Sequence, residues 1–283
     1  MAYESPSATV VVPAHNEESG LRRLLPALLG SAEPGEFRVI VVCNGCTDGS
    51  ADEAARHGDD VEVIELAEAS KAAALEAGGA LVESFPVVYV DADVALDATS
   101  LRALVSFVGH EGIVAAGPVR RQDRAGVSLA AGWYYDVWER LPQVRTGLFG
   151  RGVIAVSEQG FTRVRALPRY ISDDLAFSEA FEPSERGIAE DAVVTVWPAR
   201  TWRALLKRRI RVVQGNRELG KDGLVSDSAS TGIGDLVALG RAEPRLILRL
   251  PVFVATAVIA RAAERMRRGD RSTWHRDETS RTA

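Results

Sequence analysis

The first hundred residues alternate short apolar runs with helical patterns, and nothing else in the chain constrains its fold so tightly. Ala8-Thr9-Val10-Val11-Val12 reads as a strand stopped by Pro13. Leu21, Leu24, Leu25, Leu28 and Leu29 then recur at helical spacing until Gly30 and Pro34-Gly35 break the pattern. Residues 37–42 read as a second strand, 51–57 as a helix, and Val61-Glu62-Val63-Ile64 as a third strand. Residues 70–77 form another helical pattern, ended by Gly78-Gly79, before the strand Val87-Val88-Tyr89-Val90. Strands and helices alternating at these lengths imply an α/β fold: a mixed, mainly parallel sheet flanked by helices. In such sheets ligands bind outside the carboxyl ends of the strands.

Three polar clusters fall at those ends. His15-Asn16-Glu17-Glu18 follows the first strand, residues 43–50 follow the second, and Asp91-Ala92-Asp93 follows the fourth. The last is the sharpest, because a strand apolar on both faces ends in two acids one residue apart. Buried carboxylates are costly unless paired or metal-bound, and Asp-x-Asp can offer oxygen ligands to a hard cation that also holds phosphates. The competing reading is a solvated turn.

The second half is less regular. Residues 113–119 read as a strand leading into Arg120-Arg121, 133–141 as an aromatic helix, 147–152 as a glycine-rich loop and 153–156 as a strand. Ile171-Ser172-Asp173-Asp174-Leu175 opens a helix, with Ser172 or Asp173 as its cap. Residues 193–197 look strand-like, and 202–213 carry Arg203, Lys207, Arg208, Arg209 and Arg211. The expected organisation is a main domain over 1–242, with a first half at about 1–95 that carries the three polar clusters, a second half at about 96–219 and a mobile loop at about 220–235. A C-terminal apolar helix over 243–268 and a disordered tail over 269–283 complete it.

A net charge of −5 gives nucleic-acid binding no electrostatic support. The two cysteines, Cys43 and Cys46, cannot form a disulfide framework and fit a reducing compartment. Residues 1–6 lack the pattern of a signal peptide, and no apolar run reaches about 18 residues. The expected location is cytoplasmic, with a peripheral position on the inner membrane face as the variant.

Four motifs together carry a family resemblance: Pro13-Ala14-His15-Asn16-Glu17-Glu18, Asn44-Gly45-Cys46-Thr47-Asp48-Gly49-Ser50, Ser70-Lys71-Ala72-Ala73-Ala74-Leu75 and Val90-Asp91-Ala92-Asp93. Their order and spacing resemble the GT-A glycosyltransferases, and glycosyltransferase family 2 above all, over roughly the first two-thirds of the chain. The resemblance implies a GT-A (Rossmann-like) fold and a sugar nucleotide, UDP- or GDP-linked, held by Pro13, Ala14, His15, Asn16, Glu17, Asn44, Asp48, Lys71, Asp91 and Ala92. It implies Mn²⁺ or Mg²⁺ on Asp93, with Asp91 on the metal through water or on the ribose. Asp173-Asp174 matches the family's acidic pair, which makes Asp174 the general base for an acceptor hydroxyl and the reaction an inverting one. A lipid-linked acceptor is among the candidates. Arg208 and Arg211 could meet the phosphates. In the family an acid usually ends the second strand, where this chain has Cys43 or Asn44. Only Arg211 remains of the Gln-x-x-Arg-Trp pattern of some members, which points to a non-processive enzyme.

Plainer readings stand beside these. Asp173-Asp174 could be a cap and first-turn acid, with Glu190-Asp191 as a rival pair. His15 could be structural, Lys71 an exposed helix-start lysine, and the Arg208–Arg211 cluster a solvated face. Cys43-x-x-Cys46 has the spacing of a redox pair, although its Asn-Gly interior suits a nucleotide loop. A nucleotidyltransferase and a non-catalytic nucleotide-sugar binder are the rival functions. The segment 246–260, interrupted by Arg249 and Pro251, fits a helix packed on its own domain, a homodimer contact or an interfacial membrane helix.

Overall fold

Seven consecutive buried residues, Ala8–Ala14, form strand β1 in a computed structural model that describes residues 6–168, 173–221 and 231–266. Around it the chain lays down α1 (Glu18–Leu29), β2 (Phe37–Asn44), α2 (Ser50–Ala55), β3 (Val61–Leu66), α3 (Lys71–Ala80) and β4 (Val87–Val90). Strands β3, β2, β1 and β4 are neighbours in that order, and all three pairings are parallel. The leucines at helical spacing on α1 explain the helix: Leu21, Leu24, Leu25 and Leu28 are all fully buried in the core.

Pro13 does not stop the strand. It pairs with Val42 of β2, and β1 continues to Ala14. A proline is tolerated there because β4 pairs only with Thr9, Val10 and Val11, so no strand on that side lies opposite the missing N–H.

Beyond β4 the sheet continues through β5 (Val94–Leu96), β6 (Ala115–Gln122), β7 (Val153–Val156) and β8 (Arg186–Val196), in the order β4-β7-β6-β8-β5. β7 is antiparallel to β4 and β6, and β5 is antiparallel to β8. β8 begins well before residue 193, so the rival acids Glu190 and Asp191 sit within a strand, both exposed. Helix α4 (Ala98–Phe107) lies on β8, and α7 (Glu158–Arg165) follows β7.

Two compact units are present. Among the described residues, the first takes in 6–121, 148–168 and 180–196, and with it the sheet; the second takes in 122–147, 173–179, 197–221 and 231–266. The polypeptide passes between them more than once.

The second unit is helical: α5 (Leu129–Trp138), α6 (Pro142–Thr146), α8 (Asp173–Glu179), α9 (Trp202–Lys221), α10 (Ile233–Ala242) and α11 (Leu250–Met266). α5 starts earlier than its aromatic residues suggest. α9 runs on past Val213 through Gly220, and Ile233 already belongs to α10. Residues 222–230 of the expected loop, the tail 269–283, Arg267, Arg268 and Ser172 lie outside the described residues.

One face of α11 packs against α9 and α5. Phe253 stacks on Tyr134 with ring centroids 5.0 Å apart, and Trp202 Nε1 donates to the buried Thr256 Oγ1 at 2.9 Å. Arg217 pairs with the buried Glu264 at 2.6 Å. Just before the helix, Arg249 joins Arg124 on Asp136, each at 2.5 Å. The charge that interrupts the apolar run therefore has a partner. No helix among the described residues is long and apolar enough to cross a membrane.

Candidate active site

Asp91-Ala92-Asp93 is the turn between β4 and β5. Ala92 is buried while both acids are partly exposed, so the alternation that buries the strand hands its carboxylates to the surface. Two glycines hold the turn. Asp91 N donates to Gly152 O at 2.7 Å, and Gly152 has φ +68, where a Cβ would lie 2.5 Å from Val94 Cγ1. From the other side Gly20, in the first turn of α1, comes so close that a Cβ would stand 2.3 Å from the Ala92 carbonyl oxygen. Backbone cannot yield as a flexible side chain can. Gly20→Ala is therefore expected to cost about 1–3 kcal/mol of folding stability, as overpacking usually does. Gly132→Ala, on α5 with open space around it, should be neutral or stabilising. Urea denaturation of the two variants checks this, and equal midpoints would remove the close approach as an explanation.

Lys71 reaches the same turn. Ser70 caps α3 by accepting from Ala73 N, and the next residue's ammonium stands 2.7 Å from Asp91 Oδ1. The lysine is thus an ion-pair partner of the first acid rather than a solvated helix-start residue.

The loops after β1 and β2 are tied together. Asn16 takes a left-handed φ of 51, which asparagine tolerates, and its Oδ1 accepts from Thr47 N at 2.7 Å. Glu17 N donates to Ser50 Oγ at 2.7 Å. Asp48 accepts from Ser50 N at 3.1 Å on one carboxylate oxygen and from Glu18 N at 3.2 Å on the other. The buried Asn44 donates to Ala14 O at 2.7 Å, and His15 Nδ1 lies against Asn44 O. His15, Asn16, Glu17, Asn44 and Asp48 thus converge, with Pro13 and Ala14 below them at the end of β1. Several of these side chains shape the loops as they converge.

Cys43 and Cys46 are both free. Burial above all, and then Cys46 beside it, push the Cys43 thiol up to about 12. A redox Cys-x-x-Cys needs the opposite shift, so the redox reading falls.

Asp174, Arg208 and Arg211 belong to the second unit, whereas Asp91, Asp93 and Lys71 belong to the first. Asp173 opens α8; Asp174 follows it, partly buried, with Oδ1 accepting from Leu175 N at 2.8 Å. Arg208 and Arg211 occupy exposed positions of α9. The inward arginine is Arg209, whose guanidinium lies 6.0 Å above the buried Tyr134 ring.

Sequence reasoning missed Gly20, Gly152 and the buried Arg151. Arg151 Nη1 donates to Pro118 O at 2.9 Å, and Arg120 Nη1 donates to Gly150 O at 3.2 Å, fixing the loop that meets Asp91. Burial first, and Arg120 second, work against the charge on Arg151. The only signal was the run of glycines at 147–152, which says "loop" without saying what the loop touches.

The donor set can be compared with a metal's needs. Among the described residues, no three His, Cys, Asp or Glu side chains converge as a cage. The turn offers Asp91 and Asp93 alone, all oxygen and few in number. That suits Mg²⁺ or Mn²⁺, which bind through one or two carboxylates and fill their shell with phosphate oxygens and water. It does not suit a structural zinc.

An α/β sheet with loops and two acids gathered at the carboxyl ends of β1, β2 and β4 places the candidate site where open α/β sheets carry their ligands. The profile of glycosyl transferase family 2 matches residues 9–162, more than half of the 283, and the chain belongs to that family. The resemblance carried by the four motifs is borne out. An uncharacterized glycosyltransferase of Mycobacterium tuberculosis (strain H37Rv) is 36% identical over 146 residues, 48% of this chain and 62% of that protein. A counterpart in Mycobacterium bovis matches to the same extent. The chain thus spans less than two-thirds of these relatives' length. Among solved structures, a mannosyltransferase from Pyrobaculum calidifontis in complex with GDP-Man and Mn²⁺ aligns with a TM-score of 0.62 at 20% identity, covering 95% of this chain and 77% of that one. Glucosyl-3-phosphoglycerate synthase from M. tuberculosis, in complex with Mn²⁺, UDP and glucosyl-3-phosphoglycerate, aligns with a TM-score of 0.55 at 19% identity over 78% of this chain and 81% of that one. At these identities the likeness is one of fold, and the fold is that of the GT-A enzymes.

Proposed function

We propose that this chain transfers a sugar from a UDP- or GDP-linked donor to an acceptor hydroxyl, inverting the anomeric centre and using Mn²⁺ or Mg²⁺. The observation that carries this reading is the Asp91-Ala92-Asp93 turn, held between two glycines at the carboxyl end of β4 with Lys71 on its first acid. Donor and metal chemistry of the same kind in two proteins of this fold supports it. Asp93 would hold the metal directly, and Asp91 through water or by meeting the ribose. When bound, the metal supplies Lewis-acid neutralisation of the leaving diphosphate. The loops at 13–17 and 44–50 cradle the nucleoside, and Lys71 stands close enough to the turn to follow charge as it develops there. Asp174 takes the acceptor proton, while Arg208 and Arg211 add guanidinium charge to the phosphates. With only Arg211 left of the Gln-x-x-Arg-Trp pattern, the transfer is read as non-processive. The loop after β1 is acidic where a nucleotidyltransferase would bring glycines and cations, which disfavours that rival. Free Cys43 and Cys46 agree with a cytoplasmic setting.

A stability screen tests the reading. UDP, GDP and other nucleoside diphosphates are added with and without Mn²⁺, and the unfolding free energy is read by urea titration. At about 100 times its dissociation constant, the cognate nucleotide should add about 2.7 kcal/mol, and EDTA should remove most of the gain. No gain from any nucleoside diphosphate, with or without metal, would sink the proposal.

A further inference from the structure

α11 has two unlike faces. The inner one is satisfied within the second unit by Phe253, Thr256, Ala260 and Glu264, all buried. The outer one is apolar yet exposed: Val254, Val258 (56% exposed), Ile259 and Met266 (81% exposed). Val254, Val258, Arg261 and Arg265 follow one another at i, i+4, i+7 and i+11, so the two arginines continue the apolar row along its edge. Both arginines are exposed. The helix has a single acid, Glu264, and it is turned inward onto Arg217. Nearby Glu243 is likewise engaged, by Arg140 and Arg245, each at 2.9 Å. The outer face therefore combines apolar surface with positive charge and no acid, in a protein whose net charge is −5.

We infer that this face docks on an anionic lipid surface, with α11 lying in the plane of the interface. Charge complementarity selects the occupant. Anionic headgroups supply counter-charge to Arg261 and Arg265 while the acyl boundary takes Val254, Val258, Ile259 and Met266. A second copy paired face to face would bring the same row of apolar residues and cations, and would offer the arginines no acid. The cores of protein interfaces are depleted of charge, whereas a helix in a membrane interface carries its arginines at the edge of its apolar stripe.

Flotation with vesicles tests this, and the outcome does not depend on sugar transfer, so it can fail while the proposed activity stands, and the reverse. The full chain should float with vesicles containing phosphatidylglycerol and much less with pure phosphatidylcholine, and 0.5 M NaCl should weaken the binding. The pair Arg261→Gln and Arg265→Gln should lower affinity for anionic vesicles roughly 25-fold, at about fivefold per charge. Val258→Asp should lower it on both kinds of vesicle. These positions face outward, so unfolding midpoints near the parent value establish that the variants are folded. Binding that ignores headgroup charge, or no flotation at all, overturns the inference. So does a dimer in light scattering that Val258→Asp converts to monomer, because the face would then belong to a second copy.

Discussion

Asp93→Ala is expected to reduce sugar transfer by at least about a thousandfold, because a metal facing a leaving diphosphate contributes several kcal/mol of transition-state stabilisation. The position is suited to so clean a result. Asp93 lies in a turn and is only partly buried, while the weight of the fold falls on Ala92 and on the glycines either side. Removing its carboxylate should leave the unfolding midpoint near that of the parent. The loss should appear as weakened Mn²⁺ binding by calorimetry and as a lost Mn²⁺-dependent gain in the nucleotide stability screen, with any metal-independent affinity for the nucleoside retained. Asp91→Asn should do less to the metal and more to Lys71, whose ammonium would lose its ionic partner at 2.7 Å. If Asp93→Ala transferred sugar at the parental rate, the two acids would be a solvated turn and the proposed mechanism would lose its centre.

How far the sequence revealed this site depends on the range over which each feature acts. The parallel half of the sheet was legible because local patterns write it: Leu21, Leu24, Leu25 and Leu28 repeat with the helix, and the runs at 10–12, 39–42 and 87–90 are apolar without interruption. The acids at the end of β4 stood out for the same reason. The buttress beneath them did not. Gly20 and Gly152 matter because each meets a backbone segment remote in sequence, and a glycine looks the same whether it serves a close approach or an ordinary turn. β5 escaped notice because Val94-Ala95-Leu96 is too short to show a period, and it becomes a strand only beside β8. Pro13 misled because the rule against proline in strands assumes a partner on both sides. On α9 the helical period does carry the answer. Leu205 and Ile210 are buried and Arg209 is the arginine turned toward Tyr134, which leaves Arg208 and Arg211 outward. A count of arginines without that period had treated them as one cluster.

Asp174→Asn is expected to lower the rate of transfer by about 10²–10⁴-fold while leaving the fold intact, and the choice of asparagine separates the two readings of this residue. As a helix-start acid, Asp174 would do no more than accept a hydrogen bond and favour the helix dipole. Its Oδ1 does accept from Leu175 N at 2.8 Å. Asparagine keeps an accepting oxygen at that place and forfeits only the dipole contribution, about 0.3–1 kcal/mol of stability and nothing of the chemistry. As a general base, the carboxylate must take a proton from the acceptor hydroxyl, and an amide cannot. The two readings therefore part by orders of magnitude in rate although they predict the same small change in stability. The deficit should fall on kcat rather than on the donor's KM, since Asp174 would act on the acceptor. Parental kcat in Asp174→Asn, together with a lowered kcat in Asp173→Asn, would move the base one residue back along α8. Parental kcat in both would remove the acidic pair from the mechanism and leave it as the cap of a helix.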